Sequence, residues 1–560
     1  MADKLTPQQR QAVYDRGGKL LVSAAAGSGK TKVLVDRLLT YLTDEKDPAN
    51  LDEFLIITYT KAAASELRGK IASKLTERIA REPENRHLQK QMQRLFLTKI
   101  STVHGFCGDL LREYAYRLDL PADFRVADEN ECRELRETVL KDLLDRAYTQ
   151  EDNGDFFAFV DTQGLGRDDR LIPEIIEKVY DSARCHLDPQ GWLDGCLAES
   201  DVQETRDASE TVWGKYLLED LWEYLDCQIR VMETCVSDME RSGGLEKQIL
   251  NYQETLQQLR QLRACETWDD TVKNSHPTYS RLVFPKKNVD LELIDRVKAA
   301  RKACKEGLEK KLESFTDDSA QILKDLQQSA AGIRGLITLV RQFEQDYHAL
   351  KRSRRVLDFG DLEHKTLELL LGRSRSGYTP AATEIGRRYR EILVDEYQDS
   401  NGVQDAIFDA LTREKQNCFL VGDVKQSIYQ FRLADPGIFL KKYHSYVPAE
   451  EAEPKQGRKV LLSHNFRSGP EIIEAVNQVF GTCMRPETGG LHYGEAEALH
   501  EGIAHSALPD PAVELHAIAV REETYPEEAA FVAQRIDTML KSGTKIRDGE
   551  TLRPVEPEDI

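Results

Sequence analysis

Leu20-Leu21-Val22-Ser23-Ala24-Ala25-Ala26-Gly27-Ser28-Gly29-Lys30-Thr31, followed by Val33-Leu34-Val35 and by Leu38, Leu39 and Leu42, decides the fold of this chain. Leu20–Val22 is an apolar run of buried-strand type, and Leu34, Leu38 and Leu42 recur four apart, the spacing of one helix face. Between them, Gly27 and Gly29 allow backbone conformations closed to other residues, so that successive N–H groups can converge on one anion. The N-terminus of the following helix adds its positive end. In that frame Lys30 reaches the β- and γ-phosphates of a nucleotide and the Thr31 hydroxyl holds Mg²⁺. Ala24 stands where the usual phosphate-loop signature has Gly, and a small residue is kept. Ala24, Ala25, Ala26, Gly27, Ser28, Gly29, Lys30 and Thr31 are thus the candidate nucleotide-binding set.

Around this stretch the text alternates between strand and helix. Leu5–Val13 reads as a capped helix start, with Thr6 as cap and Pro7 in the first turn. Phe54–Thr58 is a second buried strand running into a small-residue helix start at Tyr59–Arg68, and Ile100–Phe106 reads as a third strand with a turn. The alternation predicts an α/β fold with a parallel sheet. From about Glu129 to Arg355 the text is long, charged and helical in period, which predicts a mainly helical insertion. Its Trp192, Trp213, Trp222 and Trp268 read as core anchors. Strand text returns at Glu391–Glu396, Asn417–Asp423 and Lys459–Leu462, with a further strand expected at Val513–Val520 and a helix at Pro526–Leu540.

Asp395-Glu396 after its apolar strand supplies what a phosphate loop lacks. Asp395 can hold Mg²⁺, and Glu396 can orient and deprotonate an attacking water. Together the two segments predict nucleotide triphosphate hydrolysis, without saying what the energy drives.

At 560 residues, 40% hydrophobic and 31% charged, the chain predicts several globular domains. No run of 18 apolar residues is present and the N-terminus is polar, so neither a membrane span nor a signal peptide is expected. Ten scattered cysteines without a C-x-x-C pair fit reduced thiols and a cytoplasmic location. The net charge of −20 argues against indiscriminate DNA coating, but charge is uneven. Residues 61–100 carry 10 Lys and Arg against 4 Asp and Glu, and residues 351–390 carry 10 against 5. These stretches fit either a local basic groove or solvated helix faces.

Seven segments, in order, resemble the superfamily 1 helicases of the UvrD/Rep type. Leu5–Val13 is similar to their adenine-recognising Q motif, with Gln9 at the defining glutamine, and Ala24–Thr31 to their Ala-led phosphate loop. Thr58–Ala63 is similar to their TFTNKAA segment without its asparagine, and Thr102–Phe106 to their TFH segment. Val394–Asp399 (VDEYQD) and Val421–Arg432 (VGDVKQSIYQFR) match the magnesium and coupling motifs, and His464–Ser468 (HNFRS) resembles QNYRS. Within the family, Asp123–Asp128 (DFRVAD), Leu357–His364 (LDFGDLEH) and the LADP that follows Arg432 are similar to the AddA branch of helicase–nucleases.

The resemblance implies a RecA-like P-loop sheet whose ATP-binding region covers 1–470. Its first lobe comprises 1–125 and 356–455, its helical insertion about 126–355, and a second RecA-like lobe starts within 456–560. It further implies ATP with Mg²⁺ as cofactors, Gln9 on adenine, Phe466 stacked on the base, Gln426 sensing the γ-phosphate and Arg467 touching it. Thr60, Lys61, His104, Phe431 and Arg432 would face DNA, with Phe431 stacking where relatives carry Trp, although by spacing alone Phe431 fits a core aromatic. The implied activity is that of an ATP-dependent 3′-to-5′ DNA helicase subunit. It would act on single strands and duplex ends with an AddB-type second subunit in double-strand-break repair. The motifs of the second lobe and a nuclease domain are not recognisable, so the chain reads as the N-terminal part of a longer protein. Other readings are a stand-alone UvrD/Rep-like or RecB-like helicase, against which the long insertion counts, and a non-hydrolysing DNA-binding scaffold, against which the intact Lys30, Asp395, Glu396, Gln426 and Arg467 count.

Overall fold

The computed structural model describes residues 5–163, 169–285, 290–486, 490–504, 508, 511–518, 526–549 and 551–560. The chain forms two compact units, one from residues 1–127 and 355–560, the other from Asp128–Arg354.

The first unit is built on β1 (Leu20–Ala24), β2 (Phe54–Thr58), β3 (Lys99–Thr102), β4 (Glu391–Val394), β5 (Cys418–Gly422), β6 (Val447–Pro448) and β7 (Arg458–Leu462). Among the described residues these make a seven-stranded sheet in the order β3-β2-β4-β5-β1-β7-β6, and every pairing is parallel. β1 lies inside it, Val22 standing opposite Val421 on one side and Val460 on the other. A parallel sheet is covered on both faces, which is why its central strands read as unbroken apolar runs.

Alternate residues of each strand feed two cores. Leu20, Val22, Phe54, Ile56 and Phe419 pack with Ala12 and Val13 of α1 (Pro7–Tyr14), Val33 and Leu34 of α2 (Lys30–Leu42), and Leu67 and Ile71 of α3 (Lys61–Arg81). Leu21, Leu55, Ile57, Ile392 and Leu420 pack on the other face. Their partners are Phe106 and Leu110 of α4 (Val103–Glu113), Leu362 of α5 (Phe359–Leu371) and Phe408 of α6 (Gly402–Thr412). The connection from β1 runs to β2 on one side, and that from β5 runs to β6 on the other. A ligand crevice is expected at the carboxyl ends of strands whose connections diverge in this way.

Several sequence expectations meet a different structure. Ile100–Phe106 is strand only to Thr102. The Thr102 hydroxyl accepts the Gly105 N–H and starts α4 at Val103, so a helix cap overrides the β-branched run. Arg458–Leu462, placed with the second lobe by sequence, lies in the same sheet as the phosphate loop, hydrogen-bonded along β1. The backbone of 513–518 forms no strand among the described residues, and residues 519 and 520 lie outside them. Leu515 there is 99% exposed, unlike a residue of a buried strand. The helix expected from Pro526 runs to Ser542.

The regular elements of the second unit are all helices among its described residues, the longest being Val212–Ser242 and Ser319–Ser353. Gly335 lets Ser319–Ser353 approach the helix Gly154–Gln163, since a Cβ there would stand 2.2 Å from the Asp155 carbonyl oxygen. Of the four tryptophans, Trp268 is core and Trp222 packs against that core. Trp192 is half-buried, stacked on His186. Trp213 is 40% exposed and anchors no core. Where the chain leaves the first unit and returns, Arg125–Val126 and Val356–Leu357 pair as a short parallel ladder. The DFRVAD and LDFGDLEH stretches therefore meet, and they frame the root of the insertion. No helix among the described residues is long and apolar enough to cross a membrane.

Candidate functional site

The chain turns out of β1 at Ala24 and enters α2 at Lys30 through a loop in which Gly27 and Gly29 have φ of 70° and 84°. Both angles lie where a side chain is strained. At Gly27 there is a second reason for glycine, because a Cβ would stand 2.7 Å from Asn465 Oδ1. The N-cap of α2 is Gly29, with no side-chain cap, whereas Thr6, Thr60 and Thr102 cap α1, α3 and α4. The first N–H groups of α2 are left for another acceptor. Ser28 Oγ is buried without a hydrogen-bond partner among the described residues.

This loop forms one wall of a cleft of about 740 Å³. Residues from Ala26 to Lys32 line it, together with Val35 and Asp36 of α2, Lys70, Ser73 and Lys74 of α3, Glu396, Gln426, Phe466 and Arg467. The structure thus gathers four sequence-distant segments at the carboxyl ends of β1, β4, β5 and β7. Ala24 and Ala25 are buried behind the cleft, and the Ala25 N–H donates to the Leu462 carbonyl.

Lys30 Nζ pairs with Glu396 Oε2 at 2.8 Å, and Gln398 Nε2 donates to the same oxygen at 2.9 Å. Gln398 is buried, and its Oε1 accepts the Asp423 N–H at 2.9 Å, so one amide spans the ends of β4 and β5. Gly422 has no Cβ for this reason, since one would meet Gln398 Oε1 at 2.3 Å. Glu396 has φ 52°, a left-handed conformation uncommon outside glycine and concentrated at functional sites. Its N–H donates to Asp395 Oδ1 at 3.1 Å. Asp395 lies behind the cleft wall rather than in it. Burial, together with the Glu396 carboxylate, pushes Asp395 up to about 6, and the same two causes push Asp399 up to about 6. Three carboxylates, Asp395, Glu396 and Asp399, thus crowd the end of β4, and Lys30 offsets them only in part.

Gln426 sits in a single-turn helix at Val424–Gln426, and its Nε2 donates to Asp423 Oδ2 at 2.7 Å. Asn465 fastens the HNFRS stretch to the phosphate loop. Its Nδ2 donates to the Ala26 carbonyl at 3.0 Å, while its Oδ1 accepts the N–H groups of Arg467 and Ser468 at 2.7 and 2.8 Å. The Phe466 N–H donates to the Gly27 carbonyl at 2.9 Å. Phe466 and Arg467 therefore stand on the same body as Lys30. Gln9 is placed differently from the expectation of an amide offered to a base. It is buried in α1, its Oε1 accepts the Thr6 N–H, and its Nε2 donates to the Ser28 carbonyl at 2.9 Å. It supports the phosphate loop from behind.

The residues expected to face a nucleic-acid strand lie elsewhere on the unit. Thr60 caps α3 and, like Lys61, is exposed. His104 Nε2 meets Glu363 Oε1 at 3.0 Å, and its ring stacks on exposed Phe359 with centroids 4.5 Å apart. Glu363 is buried and also accepts from Gln404 at 2.7 Å. Burial opposes its charge, and His104 with the Gln404 and Asn401 amides outweighs it, holding the carboxyl below its usual range. Phe431 is 74% exposed, which removes the core reading, and it lies 5.9 Å from the Tyr429 ring beside exposed Ile428. The Arg432 side chain lies outside the described residues. Three of the ten bases in 61–100 pair along the helix face, Lys70 with Glu66, Lys74 with Glu77 and Arg78 with Glu82, and two more pair elsewhere, Arg94 with Asp52 and Lys99 with Asp109.

Phe359, Gln398 and Asn465 were absent from the sequence candidates. Each acquires its place through a contact with a segment distant in the chain or through an exposed ring, and no local pattern marks either.

Residues 5–447 match the model of the UvrD/REP helicase N-terminal domain. The chain belongs to this family. Among its relatives is an ATP-dependent helicase/nuclease subunit of Pelotomaculum thermopropionicum, 36% identical over 92% of this chain and 42% of that protein. Proteins of the same name from Bacillus cytotoxicus and Bacillus anthracis are each 34% identical over 99% of this chain and 46% of theirs. The chain spans under half the length of these relatives. In this UvrD/REP domain the mixed fold, with its large parallel sheet and its helical unit, is the one the sequence implied.

Proposed function

We propose that this chain carries the ATP-binding and strand-engaging part of an ATP-dependent DNA helicase of AddA type. The observation that supports it most is the convergence of Lys30, Glu396, Gln426, Phe466 and Arg467 on one cleft beside an uncapped helix N-terminus. In this reading the loop N–H groups and Lys30 hold the β- and γ-phosphates, and Phe466 lies against the base. Gln426 senses the γ-phosphate, and Arg467 stabilises charge on it in the transition state. Thr31 and Asp395 would hold Mg²⁺, which supplies charge neutralisation on the phosphates. The crowding of Asp395, Glu396 and Asp399 fits a cation there. Glu396 activates the attacking water. Gln9 holds the loop from behind and reaches adenine only on leaving Ser28.

For DNA, the exposed Phe431 offers a stacking face, with Thr60, Lys61, His104 and Arg432 as further contacts. Phe359, stacked on His104, extends that surface. We place the helical insertion at about 126–355 and the start of the second RecA-like lobe after Ser468, because Asn465 and Phe466 are bonded to the phosphate loop. That the relatives are named as one subunit of a helicase/nuclease supports a companion of AddB type and a role at duplex ends in break repair.

Strand separation by the full-length protein, on duplexes carrying a 3′ or a 5′ single-stranded tail, tests the activity and its direction. ATP-dependent unwinding of the 3′-tailed substrate alone is expected. Unwinding only from the 5′ tail, or none with either, overturns the reading. Phe431→Ala should weaken single-strand binding about tenfold, the loss of one stacked base. Phe431→Trp should retain it, and neither should move the thermal melt, given the exposure of the ring. A large drop in melting temperature with unchanged DNA affinity would return Phe431 to a packing role.

A further inference from the structure

Beneath the cleft lies a buried polar chain that the nucleotide contacts leave unexplained. Asp423, at the end of β5, is 1% exposed. Its Oδ2 takes Gln426 Nε2, and its Oδ1 takes both the Lys425 N–H at 3.1 Å and Lys425 Nζ at 3.0 Å. Lys425 Nζ also reaches Glu497 Oε2 at 3.1 Å, and the other oxygen of Glu497 accepts the Tyr443 hydroxyl. Burial works against the charge on Lys425, and the two acids more than offset it, holding its pKa above the ordinary lysine value. One ammonium thus serves two buried carboxylates from distant parts of the chain.

Glu497 belongs to a stretch that touches the far side of the same cleft wall. Leu499 packs on Ala25 of the phosphate loop and on Ile473 of α7 (Pro470–Cys483). Asn477 of α7 grips the Leu499 backbone at both its N–H and its carbonyl. His500–Glu501 pairs in parallel with His464–Asn465, and the Gly502 N–H donates to the Asn465 carbonyl. A Cβ at Gly502 would stand 2.7 Å from the Phe466 ring, so the stretch is pressed against the aromatic of the cleft. Residues 493–502 therefore brace the strip that carries Phe466 and Arg467, and Glu497 is their polar link to the loop that carries Gln426.

We infer that Lys425, through Asp423 and Glu497, is a positioning residue for nucleotide-state recognition. It fixes the Gln426 amide at the cleft and ties it to the brace under Phe466 and Arg467, so that the two walls respond to a terminal phosphate together. The inference rests on the ATP reading above. Without Lys425, Asp423 and Glu497 become buried carboxylates with no cation between them, and the Asp423 carboxylate that orients Gln426 no longer has a fixed place. Contacts made only to the third phosphate then weaken, while those of the phosphate loop to the first two remain.

Binding of AMP-PNP and of fluorescent ADP to the full-length protein, with thermal melts alongside, tests this. Lys425→Met should lower AMP-PNP affinity about tenfold, the worth of one amide hydrogen bond to a charged group, with ADP affinity unchanged. Lys425→Arg should keep the triphosphate preference of the parent. Glu497→Gln, close to isosteric, should shift the preference in the same direction as Lys425→Met, and should have no added effect in the Lys425→Met background. Parallel losses for both nucleotides, or an unchanged preference in Glu497→Gln, overturn the assignment. The second result decides even if Lys425→Met fails to fold. A parent protein that binds neither nucleotide sinks the ATP reading itself, whereas a parent with a clear preference that every variant shares sinks only this inference.

Discussion

Glu396→Gln is expected to lower DNA-stimulated ATP turnover by about a hundredfold or more, the usual contribution of a positioned general base, while nucleotide binding persists. The carboxylate is held by two donors on one oxygen, Lys30 Nζ and Gln398 Nε2. Glutamine keeps an acceptor for both, so the local packing survives and only the proton acceptor is lost. Lys30→Ala is the contrasting case. It removes the cation from the phosphates and from Glu396 at once, so that binding and turnover fall together. The Lys30–Glu396 pair also suits an order of events. In the proposed reading Lys30 engages Glu396 until a triphosphate draws it away, and the carboxylate would then be released toward water. Steady-state hydrolysis by the full-length protein, with nucleotide binding measured separately, checks both variants. Turnover of Glu396→Gln at the parental rate would remove Glu396 from the role of base.

Strands such as Phe54–Thr58 and Leu20–Ala24 were legible because a sheet buried on both faces writes itself as a continuous apolar run. The phosphate loop was legible for a related reason, since positive φ at Gly27 and Gly29 leaves few residue choices. The site was less legible wherever position depends on long-range bonding. Asn465 sits 439 residues from the Ala26 carbonyl that it binds, and no pattern around either announces the other. Gln9 shows the limit from the opposite side. Its motif implied an amide offered to adenine, whereas the capping box with Thr6 and the bond to Ser28 commit both ends of that amide to the fold. At Ile100–Phe106, β-branched text competed with a threonine cap, and the cap decided the boundary. At Trp213, aromatic character suggested burial that the helix face does not provide. Exposure worked the other way for Phe431, where spacing alone favoured the core and the structure places the ring in solvent.

Arg37→Met is expected to cost about 3–5 kcal/mol of stability, the range for removing one partner of a buried ion pair. Arg37 is among the largest fully buried side chains of the chain, at 1% exposure. From α2 it meets Glu391, at the start of β4, through Nε at 2.8 Å and a terminal nitrogen at 2.5 Å. Its other terminal nitrogen donates to the Ala12 carbonyl in α1 at 2.7 Å, and the guanidinium lies 4.5 Å from the Phe419 ring centre. One planar fork thus ties the phosphate-loop helix, the helix carrying Gln9 and an interior strand of the sheet. Lysine could not replace it, having a single nitrogen for three directions. Methionine fills much of the volume but leaves Glu391 buried, with only the Tyr41 hydroxyl at 3.1 Å among its described side-chain partners. The loss should therefore come mainly from the stranded carboxylate and not from a cavity. Arg37→Met combined with Glu391→Leu removes both charges and should recover most of the difference, since a buried pair replaced by apolar groups is often close to neutral. Urea denaturation of the parent, the single variant and the double variant, following the transition of the sheet-containing unit, separates these terms. A single variant within about 1 kcal/mol of the parent, a surface-like effect, would mean that Glu391 finds another partner or water, and that the Arg37 fork is not what holds α1 and α2 to the sheet.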